Sequence, residues 1–278
     1  MWSRSNLKAR AREVLRGNYW KAFLISLVIG LATGGGGGSS GGRSSGRGSG
    51  IGGSGGGGNF GGFGGSYQWD WSYNGNPFSF TDLKPNWLLI LGAASVILGI
   101  LLIVAIGIRI FLGYPLEVGG RKYFVQSAQY FNNKGCFRFA FNGGNYLGIV
   151  GTMFLKGIFT FLWTLLFIIP GIIKSYAYRM VPYILADNPN IGARRAIELS
   201  NEMTRGHKFD MFILDLSFLG WYLLGMLALL IGVLFVHPYK DATEAELYLV
   251  LRSNAIESGK CSLWELNLYD PGEVEYNI

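Results

Sequence analysis

An all-α, polytopic transmembrane bundle with surface amphipathic helices and a disordered Gly-rich loop is the fold class this sequence predicts. Three observations predict it. The 21 residues of 88–108 contain no charged side chain, and two further apolar runs, 147–169 and 211–236, are each interrupted by one charge. Of the 278 residues, 50% are hydrophobic and 15% charged, against roughly 25% charged in soluble domains. About 20 apolar residues rising ~1.5 Å each cross the ~30 Å hydrocarbon core as a helix. Eight Trp and fifteen Tyr suit the rings that gather at bilayer interfaces.

The chain opens on a basic amphipathic helix over 1–21. Arg4, Lys8, Arg10, Arg12, Arg16 and Lys21 flank Leu7, Ala11, Val14 and Leu15, which recur at helical spacing. Such a helix lies on a membrane surface with its cations at headgroup level. Tyr19 and Trp20 then mark the entry to a short first span, 22–33. Its leader is long and patterned and no small-x-small site follows, so it reads as uncleaved rather than as a secretory signal.

A flexible Gly-rich loop is predicted over 34–86. Of the 33 residues of 34–66, 20 are Gly, too little apolar surface to offset the entropy of ordering. Gly48-x-Gly50-x-x-Gly53 matches a dinucleotide fingerprint, but without the preceding strand and following helix the match is compositional. Phe60, Phe63, Tyr67, Trp69, Trp71 and Tyr73 enrich the end of this loop in rings suited to headgroup contact.

The second span, 88–108, carries Gly92 and Gly99 seven residues apart, a helix-packing signal. A polar connection over 113–146 precedes the third run, 147–169, which ends near Pro170-Gly171. A shorter segment, 172–186, bears Lys174 and Arg179; Pro170 suits its start and Pro182 should kink it. Ala193, Ala196, Ile197 and Ser200 give a surface helix that stops at Gly206. The last run, 211–236, ends before Pro238. Thr243-Glu244-Ala245-Glu246 has the form of a capping box, and 237–278, with three Lys or Arg against eight Asp or Glu, reads as a soluble tail.

Positively charged short loops stay cytoplasmic. Six cations in the first 21 residues place the N-terminus inside, in the cell membrane. The connections 113–146 and 188–210 each hold four Lys or Arg. Both are inside if 147–186 makes two passes, giving five spans; if 172–186 lies on a surface, there are four.

These residues resemble a bacterial membrane family known as domain of unknown function 975. The resemblance is carried most strongly by 169–189, with Ile169-Pro170-Gly171, Lys174, Arg179, Pro182-Tyr183 and Asp187-Asn188-Pro189. It is supported by Asn18-Tyr19-Trp20, Pro115-Leu116-Glu117, Gly206-His207-Lys208, Leu214-Asp215-Leu216, Gly220-Trp221, Pro238-Tyr239 and Thr243-Glu244. It covers the chain apart from the Gly-rich insertion. Pro170-Gly171, Pro182-Tyr183 and Thr204-Arg205-Gly206 are also similar, more loosely, to the membrane domain attached to some glycerophosphodiester phosphodiesterases. The resemblance implies a helical integral membrane protein and brings no catalytic residues.

A charge retained inside an apolar run costs at least ~2.5–3.5 kcal/mol at the bilayer centre, which makes it a candidate functional group. Lys156 and Asp215 are two such charges, and Lys156 is long enough to snorkel towards Asp215. With Lys174 and Arg179 they form the candidate intramembrane polar set. No catalytic, cofactor-binding or metal-ligating spacing is legible: Cys136 and Cys261 stand alone, and so do His207 and His237. The net charge of +7 sits beside apolar runs and lacks a groove-reading motif, which favours lipid over nucleic acid as its partner. The leading functional expectation is a non-catalytic interaction or accessory protein whose partners are the bilayer and other membrane proteins or a second copy. The alternative is a small transporter or channel subunit with a polar pathway near Lys156 and Asp215. A lipid enzyme using Asp187, His207 and Asp210 ranks third, because no strong spacing links these residues.

Overall fold

The computed structural model describes residues 2–33, 83–227 and 231–268. The predicted Gly-rich loop lies outside them up to residue 82, as do its aromatic residues. Helix is the regular structure of every described element. The chain divides into two units, Met1–Gly41 with Ala105–Ile278, and Gly42–Val104.

The described part of the smaller unit is most of α2 (Leu83–Ile108). Twelve large apolar side chains between 90 and 108, among them Leu98 and Ile103, are at least half exposed.

In the larger unit, α1 (Arg4–Thr33) bends at Asn18, whose φ of −135° and ψ of 26° leave the helical region. Leu7, Ala11, Leu15, Ala22, Ser26 and Ile29 form its buried stripe. The basic leader therefore turns its apolar face into protein rather than into lipid, and α1 as a whole packs against α3 and α10. A π-turn at Arg109–Gly113 leads into α3 (Tyr114–Ala128). A Cβ on Gly113 would stand 2.7 Å from the Ala32 carbonyl oxygen, so glycine sets how closely α1 approaches this turn.

After the short α4 (Cys136–Ala140), α5 (Gly143–Leu166) ends at Phe167, which is extended, and α6 (Ile168–Ala177) begins. Pro170 lies in the first turn of α6, where its missing N–H costs nothing. Next come α7 (Val181–Asp187), α8 (Ala193–Met203), α9 (Lys208–Leu227) and α10 (Ile231–Glu257), then a 3₁₀ turn at Trp264–Leu266. Gly225 lets α9 meet the start of α10, since a Cβ there would lie 2.7 Å from the Val233 nitrogen.

Burial grades along two of these helices. In α5, Ile149, Val150, Thr152 and Met153 are buried, whereas Phe161, Leu165 and Leu166 are exposed. In α9, Met211, Leu214 and Phe218 are buried, whereas Leu219, Leu223 and Leu224 are exposed. Their N-terminal halves join a core built by α1, α3, α7, α8 and α10. Three helices among the described residues are long and apolar enough to cross a membrane: Ile90–Ala128, Gly143–Leu166 and Lys208–Met226.

Three expectations are corrected. The segment 172–186 is not one kinked pass. It divides between α6 and α7, ten and seven residues long, and Pro182 opens α7 instead of bending a longer helix. At ~1.5 Å per residue neither reaches ~30 Å, and Val181 to Ala186 are all buried in protein. The five-span count thus loses its fourth pass. The supposed soluble tail is, through Glu257, the continuation of α10, with Ala245, Leu247, Tyr248 and Leu251 in the core. Thr243 caps nothing: it lies within α10 and its hydroxyl donates to the Tyr239 carbonyl, 2.7 Å away.

Candidate functional site

The polar centre of the larger unit is a six-charge cluster gathered from four places in the chain. Arg121 comes from α3, Arg179 from the turn between α6 and α7, Asp215 from α9, and Lys240, Asp241 and Glu244 from α10. The spacing along α10 is what makes the cluster possible. Residues three and four apart share a helix face, so 240, 241 and 244 point the same way. Five of the six are less than a tenth exposed; the Asp215 side chain is 18% exposed.

Glu244 is the hub. Its Oε1 accepts from Arg179 Nη2 at 2.5 Å, and its Oε2 lies 3.5 Å from Arg121 Nη1. Tyr183 donates its hydroxyl to the same Oε2 at 3.3 Å. Arg179 also grips Asp215 with both terminal nitrogens, each at 2.8 Å. Tyr176 adds a hydroxyl donor to Asp215 at 3.0 Å, and Lys240 stands 3.4 Å from it. Asp241 accepts from Arg121 at 2.7 Å and from the Ser26 hydroxyl of α1 at 2.6 Å. The Nε of each arginine is buried without an acceptor among the described residues.

Three cations face three carboxylates, so the cluster is formally neutral. Burying a single ion costs several kcal/mol, and only close geometry and further hydrogen bonds repay it. The bidentate Arg179–Asp215 pair and the phenol donors supply both. At Glu244 burial pushes the carboxyl pKa up, but Arg179, Arg121 and Lys240 outweigh it and hold the group down at about 2. Asp241 goes the other way: burial raises its pKa despite Arg121.

The same face of α10 continues to a second pair. Tyr248 and Arg252 donate to Asp187 Oδ2 at 2.6 and 2.8 Å, and burial still raises the Asp187 pKa. Asp187 is thereby engaged away from His207 and Asp210, which face each other at 4.0 Å. Asp187 shares no hydrogen bond or ion pair with either of them among the described residues. Both cysteines are free and buried. Among the described residues no group of three or more His, Cys, Asp or Glu is placed to hold a metal ion.

Of the four polar residues singled out from sequence, the structure joins Asp215 to Arg179. The Lys156–Asp215 bridge does not form; Lys156 is half-buried and has no ion pair among the described residues. Lys174 rests its ammonium 5.0 Å from the Trp163 ring centre and 5.8 Å from that of Tyr178. Arg121, Lys240, Asp241 and Glu244 were missed. One signal was present: Asp241 and Glu244, three apart, stand among the apolar residues Ala242, Ala245, Leu247 and Tyr248.

Residues 152–255 match the family model described as Protein of unknown function (DUF975). No curated protein matches the chain. No solved structure matches it either. The DUF975 stretch is narrower than the resemblance read from the sequence: it takes in 169–189 and Thr243-Glu244 but not Asn18-Tyr19-Trp20 or Pro115-Leu116-Glu117. It contains Arg179, Tyr183, Asp215, Lys240, Asp241 and Glu244. Arg121 and Ser26, which complete the cluster, lie outside it.

Proposed function

We propose that this chain is a non-catalytic, multi-pass membrane protein that acts by contact with other membrane components, its N-terminus on the cytoplasmic side. The observation that carries this reading is the internal use of its charges. The buried ions are spent on one another and tie four segments together, while the outward faces of α2, α5 and α9 are apolar. Burying one Leu or Ile is worth about 1.5–3 kcal/mol. Twelve such side chains of α2 in water would outweigh the ~5–15 kcal/mol net stability of a typical fold; hydrocarbon removes that cost. Arg4, Arg10, Arg12, Arg16 and Lys21 are exposed on α1, which supports the cytoplasmic N-terminus.

The test combines extraction and reconstitution. Alkaline carbonate should leave the chain in the membrane, and mild detergent should release it with a stoichiometric protein partner or as a defined oligomer. Solute flux in proteoliposomes that is abolished by Asp215→Asn, with the variant still folded, would overturn the contact reading.

A second reading, a transporter or channel subunit, is favoured by Lys156 and Glu117. Neither has an ion pair among the described residues, yet each lies within electrostatic reach of the other. The same flux measurement, made on Lys156→Met, decides it.

A further inference from the structure

The end of α6, the end of α8 and the start of α9 bring together three cations that the ionic cluster does not use. Lys174 and Ala177 share a face of α6, three residues apart. The Ala177 carbonyl accepts from the Ser200 hydroxyl at 2.8 Å and lies 3.4 Å from that of Thr204. Thr204 is followed by exposed Arg205, and Lys208 begins α9. The Lys208 ammonium lies within electrostatic reach of both Lys174 and Arg205. It donates to Asn201 Oδ1 at 3.3 Å, a neutral acceptor. None of the three forms an ion pair among the described residues. The nearest carboxylates in sequence face other groups: Asp210 faces His207 at 4.0 Å and Glu202 faces Arg195 at 3.5 Å.

Apolar surface adjoins these charges. Phe209 is 70% and Phe212 45% exposed, with ring centres 6.4 Å apart, and Ile173 on α6 is 48% exposed. Unneutralised cations beside exposed rings, at the start of a candidate membrane-crossing helix, have the charge and polarity order of a phospholipid's headgroup and acyl chains.

We propose that Lys174, Arg205 and Lys208 form a site for the phosphate of an anionic phospholipid, whose chains run along Phe209 and Phe212. The proposal rests on the membrane reading above. Each cation near an anionic leaflet strengthens attraction about fivefold. Three together therefore predict a preference on the order of a hundredfold for phosphatidylglycerol over phosphatidylcholine at this site.

The test uses the full-length chain, taken from mixed micelles holding equal phosphatidylglycerol and phosphatidylcholine, with lipid retained per chain measured after gel filtration. Wild type should retain phosphatidylglycerol in large excess. Arg205→Gln, at an exposed position, should lower that excess about fivefold, and Arg205→Lys should restore it. The triple variant K174Q/R205Q/K208Q should bring the ratio near one. Equal retention of the two lipids by wild type, or an undiminished excess in the triple variant, overturns the site while carbonate-resistant membrane association still stands. Displacement of the bound lipid by millimolar inorganic phosphate also overturns it, because the site then takes a free anion. Release of wild type by carbonate would remove the membrane reading itself.

Discussion

Helices α2 and α9 both satisfy the length and apolarity of a membrane-crossing segment, yet they relate to protein in opposite ways. α2 has no charge in 88–108 and leaves twelve large side chains between 90 and 108 at least half exposed. α9 carries Asp215, and its N-terminal half buries Met211, Leu214 and Phe218 against protein. Its charge is held by Arg179, Tyr176 and Lys240. What α2 does follows from its transfer free energy alone. What α9 does depends on partners 36 residues upstream and 25 downstream. Hydropathy treats the two as one class of object; the ion pairs separate them.

Breaking the cluster should give the largest effect. Arg179→Met removes the cation shared by Asp215 and Glu244 and leaves buried carboxylates short of charge, so unfolding in detergent should cost about 3–5 kcal/mol less. Adding Glu244→Met restores neutrality, and thermal unfolding of the double variant should recover most of that loss. If it recovers none, the charges do not act as a unit.

α2 should respond to charge in another way. Leu98→Arg at the middle of the apolar run should disfavour insertion by about 2.5–3.5 kcal/mol, read as the inserted fraction in a translocation assay. Leu98→Ala, which removes no partner, should change the unfolding midpoint little. Equal sensitivity of α2 and α9 to neutral truncation would erase the distinction.

Ser26→Ala is a finer probe. It takes one 2.6 Å donor from Asp241, and a lost hydrogen bond to a charged group should lower stability by about 1.5–3 kcal/mol. Gly225→Val tests the α9–α10 approach through overpacking, at about 1–3 kcal/mol. Both are checked by thermal unfolding.

The last probe is the pH dependence of stability. The Glu244 pKa is held down at about 2 by Arg179, Arg121 and Lys240, below its unfolded value near 4.5. Its stabilising contribution is therefore complete above about pH 4.5 and is lost as pH falls towards 2. Glu244→Gln should flatten that acid limb in unfolding curves. Asp241, with its pKa raised by burial, contributes with the opposite sign, so Asp241→Asn should steepen the limb.

Much of the fold was legible because its signals are local. The run at 88–108 and the amphipathic period of Leu7, Ala11 and Leu15 can be read within a few turns of helix. The destination of a helix face cannot. The leader's apolar stripe reads as lipid-facing, but Leu7, Ala11 and Leu15 are buried in protein. The acidic excess of 237–278 suggested a solvated appendage, yet Asp241, Glu244 and Glu246 are buried, the last facing Arg10 at 3.1 Å. Lys156 stood out as a charge in an apolar run, but reach along a helix did not make Asp215 its partner.

From sequence alone came the helical class, three of the five expected spanning runs, the basic N-terminal helix and the two charges most conspicuous against apolar neighbours. Tertiary structure alone decided that Arg121 meets Asp241 across 120 positions and that Arg179 meets Glu244 across 65. The reason is physical: transfer free energy and helical period are set by a residue and its near neighbours, whereas the fate of a charge depends on which helix packs against it.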